Sequence, residues 1–130
     1  IWKWESNKWN MIQKLVADVR YEGARFGSSV AFSGDRIFVG QPDLGAGSVL
    51  VFDKTVDVQL PWTYTTTLSA DPVEGDRFGH TISVGEYLVV GAPMKDNGKG
   101  EIFVYDLNLN PLMRSTDLLA TDEGDQLGYS

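Results

Sequence analysis

The sequence contains RFGSSVAFSGDRIFVGQP at residues 25–42 and repeats it as RFGHTISVGEYLVVGAP at residues 77–93. A third copy starts with QLGYS at residues 126–130. Phe26 and Phe78 are 52 positions apart, and the equivalent position of the third copy follows 49 positions later. A period near fifty residues is typical of propellers and related arrays, which repeat one small sheet. The repeat therefore predicts the architecture before any single residue suggests a function.

The remainder of the chain follows the same period. IWKWE at residues 1–5 matches VLVFD at residues 49–53 and IFVYD at residues 102–106, position for position. A polar turn follows each of the first two copies and ends at Trp9 or Trp62. The chain therefore opens inside one repeat and runs through two complete ones.

Each complete repeat contains four strand candidates. They are residues 26–32, 37–40, 48–53 and 62–70 in the first repeat, and 78–84, 87–91, 101–106 and 112–120 in the second. VLVF and YLVV are apolar at consecutive positions, which is typical of a sheet buried on both faces. No segment shows a helical period, so we expect very little helix.

An antiparallel four-stranded sheet that is buried on both faces is a propeller blade. The sequence therefore predicts an all-β fold of such blades, about two and a half of them. The predicted units are the end of a preceding blade at 1–25, complete blades at 26–77 and 78–126, and the start of a following blade at 127–130.

Composition excludes several classes of partner. The 130 residues carry a formal net charge of −7, which argues against nucleic acid or an anionic membrane as the main partner. No apolar run is long enough to span a bilayer, so we expect no membrane insertion. The chain contains no cysteine, which rules out disulfides and thiolate metal sites.

The order of short motifs resembles that of FG-GAP repeats. These motifs are Phe-Gly, Gly-Asp, Val-Gly-x-Pro and Gly-x-Val-x-Val-Phe, and they cover essentially the whole chain. FG-GAP repeats build the β-propeller of integrin α chains and of many secreted or surface proteins in microbes and protists. The resemblance implies a non-catalytic extracellular or cell-surface module for adhesion, scaffolding or filament formation. Its implied partners are proteins, either other blades of the same protein or neighbouring copies.

Two other functions compete with this interpretation. The propeller could be an accessory to a larger secreted enzyme, although the innermost strands offer few titratable groups beyond His80. Alternatively, Trp2, Trp4 and Trp9 could form a carbohydrate-stacking platform, although Trp2 and Trp4 also fit the apolar positions of a third strand.

Calcium is the cofactor that the resemblance raises, because integrin-type blades bind it in an Asp-rich loop between the second and third strands. The corresponding loops here, residues 43–47 and 94–100, contain few carboxylates, whereas calcium takes six to eight oxygen ligands. We therefore expect no cofactor, and no calcium in these loops. If a cation binds at all, the candidates are Asp76 and Asp125 in the acidic inter-blade turns, followed by Asp96 in the second loop.

Eight residues are expected to hold the blades together without any chemical role. The phenylalanines are expected to fill the gap between adjacent blades, and the glycines to let backbones pass close to one another. The set is Phe26, Gly27, Gly40, Pro42, Phe78, Gly79, Gly91 and Pro93.

The chain is also not expected to stand alone. Repeat units that bury their faces on neighbours need those neighbours for stability. An isolated chain would expose two blade faces and unpaired strand edges, which favour association. We expect either a longer parent protein, the favoured explanation, or separate copies that complete one another.

Overall fold

The computed structural model describes residues 1–17, 20–57, 59–69, 73–115, 124 and 126–130. Within these residues there are ten strands and one helical turn. Their bounds are β1 Trp2–Glu5, β2 Lys8–Met11, β3 Val30–Ser33, β4 Arg36–Gln41, β5 Ser48–Lys54, β6 Trp62–Leu68, β7 Thr81–Val84, β8 Leu88–Ala92, α1 Lys95–Gly98, β9 Glu101–Tyr105 and β10 Pro111–Arg114.

The strands form three antiparallel units that follow chain order. Strands β1 and β2 pair as a two-stranded unit, called here the N-terminal hairpin. Strands β3–β6 form the first sheet and β7–β10 the second sheet, each with its strands in sequence order. The prediction of an all-β fold with four-stranded antiparallel sheets is confirmed.

The first strand of each sheet is shorter than predicted. Strand β3 begins at Val30 and β7 at Thr81, so the Phe-Gly pairs lie in the turns before these strands. The cause is local geometry, because Arg25 and Arg77 have φ of 55° and 60° and each is followed two residues later by a positive-φ glycine. An extended strand requires negative φ, so strand pairing starts only after the turn.

The outer strands and one loop also differ from the prediction. Strand β6 ends at Leu68, and β10 is confined to Pro111–Arg114. Of the predicted strands 62–70 and 112–120, residues 70 and 116–120 lie outside the described residues. The second loop contains the helical turn α1, in which Asp96 and Asn97 have left-handed φ, so it is an irregular turn rather than a helix segment.

The main hydrophobic core lies between the two sheets. Phe38, Val49 and Val51 of the first sheet are fully buried against the second sheet. The second sheet and the turn before it contribute the buried side chains Phe78, Leu88, Val90, Ala92, Phe103 and Tyr105. The consecutive apolar residues of β5 and β8 thus serve two faces, since alternate side chains point to opposite sides of a sheet.

A second, smaller core lies between the first sheet and the N-terminal segment, by which we mean Ile1 together with residues 12–17 after the hairpin. Ile37, Val39, Leu50 and Phe52 point away from the second sheet and pack with Ala17. Ile1 and Leu15 cover part of this cluster from the other side. Ile1, Leu15 and Ala17 therefore cover this side of the first sheet, whereas the strands of the hairpin are largely exposed. Within the described ranges, no helix has the length and apolar character needed to cross a bilayer.

Candidate functional site

Residues 73–79 form an inter-sheet turn that contacts the loops of both sheets. Gly75 donates a backbone hydrogen bond of 2.9 Å to the carbonyl oxygen of Gly45 in the first loop. On the other side, the carbonyl oxygen of Asp76 accepts one of 3.2 Å from Met94 in the second loop. The three segments form one junction at a common end of the sheets, and it holds most of the residues considered for metal binding.

Asp43 is the carboxylate of the first loop, and it lies between two arginines. Arg25 approaches one carboxylate oxygen at 3.1 Å, and Arg77 approaches the other at 3.2 Å. Arg25 and Arg77 occupy the same position of successive repeats, each directly before a Phe-Gly pair. Asp43 therefore links the starts of two adjacent sheets, and both of its oxygens face a protein cation.

Asp76 forms a buried ion pair with Lys95. The Nζ atom of Lys95 lies 3.0 Å from a carboxylate oxygen of Asp76, and the side chains are only 7% and 5% exposed. A buried charge is costly unless it is paired and hydrogen-bonded. The pair thus supplies, from within the chain, the positive charge that a bound cation would supply in this loop.

The described residues do not fit a calcium site. Asp43 and Asp76 are engaged by protein cations, Asp96 is exposed, and Asp125 lies outside the described residues. No group of three or more His, Asp or Glu side chains placed to hold a metal ion occurs in the described part of the chain. Calcium needs six to eight oxygen ligands around one position. At this junction the Asp76 carboxylate instead faces the ammonium group of Lys95.

Calcium is accordingly expected to leave the stability of the protein unchanged. The midpoint of thermal unfolding, measured with chelator and with millimolar calcium, should agree within experimental error, and Asp96→Ala should not alter the comparison. A calcium-dependent increase that Asp96→Ala abolishes would place an ion in the second loop. An increase that Asp76→Ala or Asp125→Ala abolishes would place it at an inter-sheet turn.

The Phe-Gly pair joins the sheets through its backbone. Phe78 forms an isolated parallel bridge with Gly47, and its ring packs edge to face on Phe103 at 5.1 Å. Gly79 has φ of 84°, and a Cβ atom there would lie 2.5 Å from the carbonyl oxygen of Ser48. The side chain of Ser29 then donates a hydrogen bond of 2.7 Å to the Gly79 carbonyl. The pair is thus held between Ser48 at the start of β5 and Ser29 directly before β3.

The same arrangement recurs at the far side of the second sheet. Leu127 bridges Gly100, and Thr81 donates a hydrogen bond of 2.8 Å to the carbonyl oxygen of Gly128. Gly40 in β4 and Gly91 in β8 lie directly below these carbonyls, where a side chain would collide with them. Pro42 and Pro93 follow shortly after and are fully buried.

A partly buried ion pair of the first sheet also contacts the connection between β9 and β10 of the second sheet. Arg36 donates from Nε to a carboxylate oxygen of Asp53 at 2.6 Å and from Nη1 to the carbonyl oxygen of Leu107 at 2.8 Å. Hydrogen bonding from Arg36 lowers the pKa of Asp53 below its ordinary value. The stabilisation is therefore present above the pKa of Asp53 in the unfolded chain, and it is lost as pH falls through the lowered pKa of the folded protein.

An apolar groove of about 720 Å³ lies between the N-terminal segment and the first sheet. Ile1, Leu15, Tyr21, Phe26 and Val39 are among its lining residues. Here the first Phe-Gly pair differs from the second, because Phe26 is only partly buried and a Cβ atom on Gly27 would meet nothing within 4 Å. No part of the described chain packs on Gly27 as Ser48 packs on Gly79.

The N-terminal hairpin carries an exposed aromatic face. Trp2 pairs with Met11 and Trp4 with Trp9 across the two strands, which places all four side chains on one side. Their exposed fractions are 60%, 59%, 54% and 63%, respectively. Trp4 and Trp9 contact edge to face, with ring centroids 5.5 Å apart.

His80 is positioned by ring packing. It stacks on Tyr129 with centroids 4.9 Å apart. Its Nδ1 atom is buried and has no hydrogen-bond partner within the described residues. The adjacent residue Thr81 donates its hydroxyl group to the carbonyl oxygen of Gly128, and Ser29 donates to that of Gly79.

Four-stranded antiparallel sheets that follow one another along the chain, with strands in sequence order and one sheet packed on the next, are consistent with the blades of a β-propeller. The model of the FG-GAP repeat family matches residues 9–52 and 62–105, so the chain belongs to the FG-GAP repeat family. Each matched segment begins at a tryptophan of an outer strand and ends in the third strand of the next sheet. The match thus crosses the sheet junction described above. No curated protein matches the chain. Repeats of this family form protein-interaction modules.

Sequence reasoning missed the charged contacts of the junction. The repetition of Arg25 and Arg77 before each Phe-Gly pair was a visible signal, because a charge repeated at one position suggests a repeated contact. Lys95 gave no such signal, since the first loop has no equivalent lysine. Glu101 is another example, because this fully buried carboxylate is held by Arg114 at 2.7 and 2.8 Å.

Proposed function

We propose that this FG-GAP chain is a non-catalytic module of an extracellular or cell-surface protein, where it binds other proteins in adhesion, scaffolding or filament formation. The observation that carries the proposal is the exposed aromatic face of the hairpin, with Trp2, Trp4 and Trp9 each more than half exposed. Soluble proteins rarely leave a contiguous apolar patch open without a partner. Tryptophan is also enriched among the residues that dominate binding energy at protein interfaces.

The non-catalytic part of the proposal is supported by the use of the inner polar residues. The hydroxyl groups of Ser29 and Thr81 are engaged by backbone carbonyls, and Asp43 and Asp76 are neutralised by arginine and lysine. These groups serve the contacts between sheets. A general base or nucleophile needs a free group within reach of a substrate.

Carbohydrate binding is the second candidate, since the exposed tryptophans favour it as well. The geometry makes it the weaker one. The ring planes of Trp4 and Trp9 are 62° apart, so a sugar ring stacked on one cannot lie flat on the other. We therefore expect no tryptophan-dependent binding on a glycan array: any signal of the wild-type protein should persist in the Trp2→Ala and Trp4→Ala variants. A signal that both variants remove would favour carbohydrate as the ligand.

Photo-crosslinking tests the protein-binding proposal directly. Benzoylphenylalanine at position 9 of the full protein, applied to intact cells, is expected to form an adduct with another polypeptide, which mass spectrometry identifies. The same group at position 56, which is fully exposed in the β5–β6 connection, is the matched control. Excess unlabelled protein should suppress the adduct, whereas the double variant Trp2→Ala/Trp4→Ala should not. Equal labelling at both positions, or none at position 9, would contradict the proposal.

A further inference from the structure

The outer strand of the first sheet, β6, has a free edge that differs from those of the other outer strands. Strand β6 pairs only with β5, so its other edge meets no strand of the described chain. It has seven residues, whereas β2 and β10 have four each. Strand β2 contains Lys8, and β10 contains Pro111 and Arg114. Strand β6 contains neither a charged residue nor a proline.

Such an edge is unusual, because proteins normally protect free edges against pairing. The usual protection is a short strand, a charge, a proline or a bulge. Strand β6 has only the last of these, the unpaired Thr65 between Tyr64 and Thr66. Tyr64, Thr65 and Thr67 are exposed, and threonine and tyrosine both favour strands. The edge is therefore open to a further strand.

One side chain from outside the sheet already binds this edge in the manner of a strand. The amide group of Gln13 donates a hydrogen bond of 2.7 Å to the carbonyl oxygen of Trp62 and accepts one of 3.0 Å from its backbone N–H. A residue of an antiparallel neighbour strand makes the same pair of bonds. Gln13 binds at the first residue of β6, and the exposed residues follow it along the strand.

The charge distribution favours a second copy of this chain as the partner. The chain carries a formal net charge of −7, so most surfaces of two copies repel each other. Residues 58–70, which include β6, contain no Asp, Glu, Lys or Arg and form the longest such run in the chain. Two copies can therefore approach along β6 without bringing like charges of this segment together. A threonine-rich strand also suits pairing with itself, because threonine pairs across strands are favourable.

An edge contact leaves both faces of the first sheet in place. The second sheet covers one face, and the N-terminal segment packs on the other. The outer edge lies in the plane of the sheet, so a strand added there displaces neither of them.

We propose that two copies of this chain associate through β6, antiparallel and related by a two-fold axis, so that two four-stranded sheets join edge to edge. The inference goes beyond the proposed function, since it uses a surface separate from the aromatic face of the hairpin and names a second copy as the partner. An interface with two-fold symmetry is closed, so it gives a dimer.

Sedimentation velocity of the full protein over a concentration series tests the proposal with charges placed on the edge. The variants are Thr63→Lys/Thr67→Lys and Thr63→Glu/Thr67→Glu, at exposed positions of β6. The wild-type protein is expected to dimerise. Each variant alone should dimerise at least about 30-fold more weakly, because like charges meet across the contact. The control Val56→Lys/Gln59→Lys adds the same charge at exposed residues of the β5–β6 connection and should dimerise like the wild type.

An equimolar mixture of the lysine and glutamate variants gives the decisive result. Opposite charges then face each other, so the mixture should regain dimers that contain one copy of each variant. A monomeric wild-type protein, edge variants that dimerise like the wild type, or a mixture that does not regain dimers would each overturn the proposal. Circular dichroism verifies folding, and the single variants Thr67→Lys and Thr67→Glu replace the double variants if those unfold.

Single cysteines test the orientation of the two strands, because the chain contains no cysteine of its own. In an antiparallel dimer the two copies of Thr65, in the middle of β6, lie close together. The two copies of Val56, which precedes β6, lie at opposite ends of the contact. A short bismaleimide is therefore expected to link dimers of the Thr65→Cys variant and not those of Val56→Cys. Linkage through position 56 without linkage through position 65 would overturn the antiparallel arrangement.

Discussion

Replacing Gly79 with valine is expected to lower the free energy of unfolding by about 2–5 kcal/mol. One part, about 1–2 kcal/mol, comes from placing a β-branched residue at φ of 84°. The other part, about 1–3 kcal/mol, comes from overpacking, since the new Cβ would lie 2.5 Å from the carbonyl oxygen of Ser48. The first and second sheets would have to separate at this point to relieve the collision.

Gly27→Val is the matched control for this prediction. Gly27 has nearly the same φ, 90°, and the same Phe-Gly context, but a Cβ atom there would meet nothing within 4 Å. Only the conformational part of the loss is expected, about 1–2 kcal/mol. Equilibrium urea denaturation of the two variants measures the difference. Equal losses would show that close packing of the sheets does not require glycine at position 79.

The sequence was sufficient to predict the two four-stranded sheets, because their pattern of apolar residues is strong and occurs twice. VLVF in β5 and YLVV at residues 87–90, which leads into β8, are apolar at consecutive positions, a pattern typical of a sheet covered on both sides. The period of about fifty residues then placed the same four strands twice. These two properties depend on composition and spacing alone, so the order of strands followed without any knowledge of contacts.

The start of the first strand could not be predicted in the same way. RFGSSVAF has the composition of a strand, but Arg25 and Gly27 both have positive φ. Arginine has no preference for that conformation, so composition favoured an extended segment there. The same conformation recurs at Gln126, the equivalent residue of the third copy, where φ is 52°, so it belongs to the turn before each repeat and does not depend on a charged side chain.

The candidate binding surfaces depended even more on the structure. The sequence placed Trp2 and Trp4 in a third strand, where apolar residues are normally covered. Whether a strand position is covered depends on which neighbour faces it, and the one-dimensional pattern does not contain that information. Pairing of Trp2 with Met11 and Trp4 with Trp9 gathers four large apolar side chains onto one open side.

Replacing Lys95 with methionine is expected to cost about 3–5 kcal/mol of stability, a loss comparable to that of Gly79→Val. The substitution keeps most of the apolar stem but leaves the carboxylate of Asp76 buried, 5% exposed, without its partner. The penalty arises from the uncompensated charge rather than from the lost attraction alone. Asp76→Asn should cost a similar amount, because it leaves the ammonium group of Lys95 buried.

The double variant Lys95→Met/Asp76→Asn separates the contribution of the ion pair to stability from other effects of the two substitutions. With both charges removed, the loss should be clearly smaller than the sum of the two single losses, since neither partner remains buried and charged. Lys99→Met, an exposed lysine of the same loop, is the matched control and should change stability by no more than about 0.5 kcal/mol. Equilibrium urea denaturation of all four variants at one pH provides the comparison. Additive losses in the double variant, or a loss for Lys99→Met as large as that for Lys95→Met, would show that Asp76 and Lys95 do not stabilise the junction as a pair.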